Sequence, residues 1–314
     1  EQRAPGHTAL DGKIYEKGML DFKKEIQENI ESLNFLNDPE ATDKKEQLEG
    51  MAISCDAAVV FAYRHADLAE EQAKAEVNKK RKKELLKIAE VCRWVPAKAP
   101  RNFHEAIQMY WFVHIGTITE LNGWDAMNPG HFDQHLAPFY EKEIAEETLT
   151  REDAKELLSC FWIKVNNHPA PPKVGITAKE SGTYNDFTNI NIGGVKLNGS
   201  DGVSEVSYIM LEIIEELHVL QPGNSVHVSS RTPDRFLKEA CKVIRQGHGY
   251  PSVFNPDVYI PEMLRQGKSL EDAREGGCSG CIEVGAFGKE AYVLTGYLNV
   301  PKIIEITLNN GINP

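Results

Sequence analysis

Long apolar runs are missing from this sequence. No stretch approaches the roughly 20 consecutive apolar residues that a membrane-spanning helix needs, so a bilayer span is not expected. Excess positive charge is missing too: 35 Lys and Arg face 47 Asp and Glu, a formal net charge of -12. That balance argues against nucleic acid as a partner and against binding to an anionic membrane surface. The basic run Asn78-Lys79-Lys80-Arg81-Lys82-Lys83 is flanked by acidic residues and reads as a solvated helix face. The opening EQRAPGHTALDGK has no apolar core and is not a signal peptide. Six cysteines with a single close pair, Cys278 and Cys281, make no disulfide framework and fit reduced thiols in a cytoplasm. A GxGxxG turn opening a helix after a first strand is absent, as is a P-loop, which removes the doubly wound nucleotide-binding reading. What remains, at 41% hydrophobic content over 314 residues, is a globular chain of one large or two ordinary domains.

Periodicity supplies the elements. Met19, Phe22, Ile26, Ile30 and Leu33 recur at three or four and predict an amphipathic helix from Tyr15 to Leu36. One longer helical region is expected over Lys44 to Trp94. Pro96 and Pro100 then punctuate the chain before Asn102, which can cap a helix from Phe103 to Thr117. Thr150 begins another helix through Val165, and the proline-rich NNHPAPPK follows it. Thr188 to Ile192 reads as a strand, Val203 to Leu220 as a helix and QPGNSVHVSS as a second strand. A helix over Pro233 to Gln246 and a short helical piece near Asp257 to Gln266 come next. Strands alternating with helices from about residue 187 onward point to βαβ units and a parallel sheet. Residues 1–14 read as loop, with His7 the only group there that carries chemistry. By themselves His7 is a surface loop histidine, and Asp125, Ser181 and Asp186 are turn formers.

The stretch with the most specific chemistry runs from Gly276 to Pro314. Gly276, Gly277 and Gly280 let the backbone turn and approach other groups closely. Cys281 and Glu283 are two apart, so in an extended segment a thiol and a carboxylate share one face. Such a pair suits a sulfur that takes a hydrogen atom beside a base that takes a proton. Cys278-x-x-Cys281 also admits a redox pair or half of a zinc site, although no second CxxC supplies the other ligands. Asn299 can cap the helix that follows, Pro301 fits its first turn and Gly311 can close it.

Ser279-Gly280-Cys281-Ile282-Glu283 resembles the thiyl-cysteine loop of glycyl radical enzymes, in the branch with a Cys-x-Glu pair. That branch holds glycerol, diol and hydroxyproline dehydratases and choline lyase. Pyruvate formate-lyase has two adjacent cysteines instead, and Ile282 after Cys281 disfavours its acyl transfer. The continuation GAFGKEAYVLTGYLNVPKIIEITLNNG is similar to the hydroxyproline dehydratases. Arg101 to Gln108 followed by Trp111-Phe112, and Asp133 to Tyr140, are also similar to family segments. Arg245-Gln246-Gly247-His248-Gly249-Tyr250 superficially resembles the motif around the radical glycine. In the family that motif follows the cysteine loop, whereas here it precedes Cys281.

The resemblance implies an internal piece of one pyruvate formate-lyase-like catalytic domain, without its C-terminal glycyl radical domain. Its fold would be α/β, part of a ten-stranded barrel with a helical surround. The helical half would span about 15–165, and the barrel strands and cysteine loop about 187–314. The implied reaction is dehydration of trans-4-hydroxy-L-proline to 1-pyrroline-5-carboxylate and water. Cys281 would be the thiyl that takes hydrogen from the carbon beside nitrogen, Glu283 the base, and Asp125 or His7 the acid. Ser181 and the backbone after Asp186 would hold the substrate carboxylate, with Glu283 or Asp186 facing the ring amine and Phe187 and Tyr297 drying the cavity. All eight residues match in type. The implied cofactor is a glycyl radical on a glycine outside this segment, with no metal or organic cofactor. The implied partners are hydroxyproline, a radical-SAM activating enzyme and a second copy in a homodimer. Glycerol, propane-1,2-diol or choline would be the alternative substrates. A silent scaffold or a CxxC redox or metal-binding protein is the alternative of another class.

Overall fold

The structure is a computed structural model, and it describes residues 6–7, 10–120, 126–167, 187–280, 282–290 and 298–313. Its first half is helical: α1 (Lys13–Glu16), α2 (Met19–Glu31), α3 (Ala41–Ala75), α4 (Lys79–Trp94) and α5 (Phe103–Glu120). The single helical region expected over residues 44–94 is two helices. The break falls at Asn78, whose side chain accepts from the N–H groups of Lys80 at 2.9 Å and Arg81 at 3.2 Å and so caps α4. The basic run is the exposed first turn and a half of that helix. Along α3, Ala62, Ala66, Ala69 and Ala73 are buried at helical spacing, and small side chains there let α2 and α4 pack close against it.

The α5 helix buries residues on every side, from Phe103 and Ala106 through Tyr110, Trp111 and Phe112, as a helix in the middle of a core must. Asn102 caps it as expected, accepting from the Glu105 N–H at 2.9 Å. Two more helices, α6 (Phe132–Ala145) and α7 (Arg151–Asn167), close over it. Phe132 meets Tyr110 and Phe161 with ring centroids 5.4 and 5.2 Å apart.

The strands β1 (Gly6–His7), β2 (Ala126–Met127), β3 (Phe187–Gly193), β4 (Gly223–His227) and β5 (Ser252–Phe254) form one parallel sheet in that order. Helices α8 (Glu205–Leu217) and α9 (Asp234–Ile244) are the crossovers between β3, β4 and β5, the arrangement that strands and helices in alternation require. Residues 6–7, read from sequence as loop, are strand. The five strands make an open sheet, and no closed barrel is present among the described residues. The chain then runs through α10 (Pro256–Arg265) and α11 (Leu270–Glu275) into a small antiparallel hairpin, β6 (Gly277–Cys278) with β7 (Val284–Gly285). In α12 (Val300–Leu308), Asn299 accepts from the Lys302 N–H at 2.9 Å, and Gly311, at φ 85°, donates to the Ile306 carbonyl at 2.8 Å. No helix among the described residues is long and apolar enough to cross a membrane.

Phe132 is fully buried against two aromatic rings, so Phe132→Ala is expected to destabilise the protein by about 3–5 kcal/mol. Urea unfolding reads this directly, and a loss below about 1 kcal/mol would contradict the packing described.

Candidate active site

Parallel register brings chain ends together at one edge of the sheet. Gly6 pairs with Ala126 and Ala126 with Phe187, while His7 pairs with Met127 and Met127 with Thr188. The backbones of His7 and Phe187, far apart in sequence, thus stand two strands from one another on either side of β2. Asp125 and Asp186 immediately precede β2 and β3 in the chain, but they lie outside the described residues, as do Ser181, Cys281 and Tyr297. Of the eight candidates, Glu283 alone has its side chain described. It is half-buried, and its Oε2 accepts from the Ile282 N–H at 3.1 Å.

The hairpin determines where the cysteine loop starts and ends. Ser279 donates its N–H to the Glu283 carbonyl at 2.8 Å, which carries the pairing of β6 with β7 one step further. Two glycines at its start are sterically required. A Cβ on Gly277 would lie 2.7 Å from the Phe287 ring and 3.0 Å from Asn191 Oδ1, and one on Gly276 would lie 2.5 Å from the Gly285 carbonyl oxygen.

Asparagines from two regions of the sheet grip this hairpin. Asn191 on β3 accepts the Cys278 N–H at 3.0 Å with Oδ1 and donates to the Cys278 carbonyl at 2.9 Å with Nδ2. Asn189 on the same strand donates to that carbonyl at 3.4 Å, and Asn128, just past β2, donates to the Ser279 carbonyl at 3.3 Å. His131 donates from Nε2 to the Gly276 carbonyl at 3.0 Å. Behind Asn191 stands His227 on β4, 2.6 Å away, and behind His227 stands the Tyr259 hydroxyl of α10 at 3.0 Å. The directions follow from the acceptors. Asn191 Oδ1 can only accept, so His227 carries its proton on Nε2, and its bare Nδ1 accepts from the Tyr259 O–H.

The sequence reading passed over these residues. The signal was present in the strand itself: Asn189, Ile190, Asn191 and Ile192 alternate, and the two isoleucines are fully buried. Parallel strands covered on both faces are ordinarily apolar on both. A row of Asn189, Asn191, Ser225 and His227, all buried, therefore needs a buried polar partner, and the hairpin backbone is that partner. Cys278, one half of the CxxC pair, is fully buried in this clamp. Among the described residues no group of three His, Cys, Asp or Glu could hold a metal ion.

Burial sets the charge states. His131 is pushed down to about 4 by desolvation, and His227 is lowered well below the usual histidine value by burial and by His131 beside it, 5.2 Å between ring centroids. Both are neutral at pH 7. Asp133 is raised to about 7 by burial, against the donors Ser207 and the N–H groups of Gly193 and Gln134. A separate cavity of about 320 Å³, lined by Asp11, His135, Gln134, Arg274 and Glu275, lies beyond the C-terminal end of β3. It is roughly 20 Å along the strand from Phe187, too far to serve the same chemistry.

A histidine lowered on folding contributes stability that is present above its unfolded value, near 6.5, and is lost as pH falls below it. Asp133, raised on folding, has the opposite slope between about 4 and 7. Comparing wild type with His227→Gln cancels every other group. Between pH 7.5 and pH 5 the wild type is expected to lose about 2 kcal/mol more than the variant. Urea titrations at the two pH values measure this, and parallel losses would mean that His227 is not held neutral.

Comparison with known proteins adds the lineage. A family model described as pyruvate formate lyase-like matches residues 1–314. Trans-4-hydroxy-L-proline dehydratase of Clostridioides difficile is 56% identical over all 314 residues, which span 40% of that protein's length. Isethionate sulfite-lyase of Oleidesulfovibrio alaskensis is 33% identical over 305 residues, 95% of this chain and 36% of that one. The crystal structure of the Clostridioides difficile hydroxyproline dehydratase with trans-4-hydroxy-L-proline bound superposes on the whole chain with a TM-score of 0.93 at 54% identity, covering 40% of its own chain. The glycerol-bound B12-independent glycerol dehydratase of Clostridium butyricum reaches 0.88 at 34% identity over 98% of this chain and 39% of that one. The chain thus spans 36–40% of the length of these relatives, and it belongs to the pyruvate formate lyase-like family of glycyl radical enzymes.

Proposed function

We propose that this chain is part of a glycyl radical dehydratase that converts trans-4-hydroxy-L-proline into 1-pyrroline-5-carboxylate and water. The observation that carries the reading is the 56% identity to a trans-4-hydroxy-L-proline dehydratase along the entire chain. The residue types at the eight candidate positions, from His7 to Tyr297, are those that the resemblance implies for such a site. The five parallel strands are then one part of a ten-stranded barrel, and residues 1–314 one part of a single catalytic domain.

The group that such an enzyme needs is a radical glycine, carried outside these residues and installed by a radical-SAM activating enzyme; it supplies the one-electron oxidising power at Cys281. The described residues fit that use in one respect. The chain is pinned at Cys278 and Ser279, three and two residues before Cys281, so a reactive sulfur would follow a fixed mount. Everything else is work for the chain's own side chains. Cys281 takes a hydrogen atom from the carbon beside the ring nitrogen, breaking one C–H bond and forming one S–H bond. The radical carbon makes the neighbouring N–H more acidic and weakens the bond to the C4 hydroxyl. Glu283 takes the proton from nitrogen. Asp125 or His7 gives a proton to the hydroxyl, which leaves as water. Return of the hydrogen atom from sulfur completes a product that equals the substrate less one water. Desolvation in a closed cavity with Phe187 and Tyr297 would keep an Asp125 carboxyl protonated near neutral pH. Ser181 and the backbone after Asp186 hold the carboxylate.

A homodimer and a cytoplasmic setting complete the proposal. Cys55, Cys92, Cys160 and Cys241 form no disulfide among the described residues, in keeping with a reducing compartment.

The test uses the full-length protein, activated anaerobically by its radical-SAM partner. Incubated separately with trans-4-hydroxyproline, glycerol, propane-1,2-diol and choline, it is expected to give pyrroline carboxylate from the first and nothing from the others. Turnover of a diol or of choline would overturn the assignment of Ser181 and Asp186 while leaving Cys281 and Glu283 in their roles. Cys281→Ser is expected to remove all turnover from a folded protein, and Ser181→Ala to raise KM for hydroxyproline about tenfold or more by removing a hydrogen bond to a charged group. An active Cys281→Ser enzyme would end the radical reading altogether.

A further inference from the structure

A chain of buried hydrogen bonds runs from Tyr259 on α10 through His227 and Asn191 to the cysteine hairpin. Cys278 already pairs with Val284 across the hairpin, and its outer edge faces β3. There, in place of a third strand, stands a single side-chain amide. Asn191 Oδ1 meets the Cys278 N–H and Nδ2 meets the Cys278 carbonyl, so one planar group fixes both ends of the residue. An amide is free to flip by half a turn about its last bond. Here the wrong orientation would set Nδ2–H against the Cys278 N–H and against His227 Nε2–H at 2.6 Å. With His227 Nε2–H committed to Asn191 Oδ1, its bare Nδ1 accepts from the Tyr259 O–H, which braces the ring from behind. All three side chains are buried, with Asn191 and His227 at 0% exposure and Tyr259 at 7%. The relay joins three different elements, β3, β4 and α10, to the Cys278 backbone, three residues before Cys281.

We propose that Asn191, oriented by the Cys278 backbone and braced by His227 and Tyr259, is the positioning residue that seats the hairpin leading into Cys281 and so fixes the reach of the Cys281 sulfur. The inference rests on the proposed role of Cys281 as the hydrogen-abstracting sulfur. Hydrogen-atom transfer depends steeply on the distance between donor and acceptor, because the hydrogen must be shared between both heavy atoms in the transition state. A displacement of the order of 1 Å can cost about 100-fold in rate. Substrate affinity, by contrast, falls on the proposed reading to Ser181 and the backbone after Asp186, which are not members of the relay.

The experiment compares full-length activated enzymes, with kcat expressed per glycyl radical counted by electron paramagnetic resonance. Asn191→Leu keeps the volume and removes both hydrogen bonds. It is expected to lower kcat per radical about 10–100-fold with KM within about threefold. It should also raise the deuterium isotope effect on kcat for hydroxyproline deuterated at the carbon beside nitrogen, because the abstraction step becomes limiting. A merely structural loss lowers the yield of folded protein and leaves both values per radical unchanged. The His227 pair covers the case in which Asn191→Leu does not fold. His227→Gln presents an amide N–H near the place of Nε2–H and should recover most of the rate that His227→Leu loses. Wild-type kcat per radical and isotope effect in Asn191→Leu, or equal rates in the two His227 variants, would overturn the proposal. Cys281→Ser separates the two levels: if it is inactive while Asn191→Leu behaves as wild type, only the positioning role falls; if it is active, the reading of Cys281 falls with it.

Discussion

Asn191 does for Cys278 what a neighbouring strand would do, offering an acceptor to the N–H and a donor to the carbonyl in one plane. A two-residue strand such as β6 has too few backbone hydrogen bonds to hold its own place. The side-chain amides of Asn128, Asn189 and Asn191 supply what the missing strand would, and they do so from a rigid sheet. Each such bond contributes about 1 kcal/mol when made, but leaving a buried partner unmade costs about 1–3 kcal/mol. The hairpin therefore has one favoured seat. The same logic reaches back through His227 and Tyr259, where neutrality is enforced by burial.

This constraint explains why two otherwise unremarkable glycines stand before the cysteines. Gly276 and Gly277 lie where any side chain would strike the Gly285 carbonyl, Phe287 or Asn191 itself. The approach that lets an amide reach the hairpin backbone is the approach that excludes a Cβ. The lower sheet edge follows the same economy. β1 and β2 are two residues each, long enough to register His7 and Phe187 on either side of β2 and short enough to end there. On the proposed reading, the barrel strands deliver acid and carboxylate-binding groups from below, and the hairpin delivers the sulfur from above.

Local signals were legible and pairing was not. Asn102 and Asn299 cap their helices as their spacing indicates, and the βαβ succession from β3 to β5 follows from alternating periodicities. Asn78 was visible but read as part of a charged face. Its capping role divides the long helical region in two, and only a comparison of a cap with an unbroken pattern would have found it. β1 lacks any periodic signal because two residues cannot express a period of two. The β6–β7 hairpin was hidden because its strands are two residues each, too short to show a period, and only the Ser279 to Glu283 bond and the strand pairing reveal it. The buried polar face of β3 and β4 was in plain view as Asn-Ile-Asn-Ile. Its meaning depended on a partner almost ninety residues away, which no local pattern carries. Open sheet against expected barrel is the same lesson on a larger scale, since closure is a property of strands that pair across the whole fold.

The central claim is geometric: a seated hairpin brings one sulfur to one carbon. A crystal structure of the full-length protein with trans-4-hydroxy-L-proline bound tests it most directly. The account predicts Cys281 Sγ within about 4 Å of the carbon beside the ring nitrogen, close to the separation of reacting atoms in a near-attack arrangement. It also predicts both Asn191 bonds to Cys278 intact. A sulfur more than about 6 Å from that carbon, or a hairpin detached from Asn191 in the substrate complex, would contradict it.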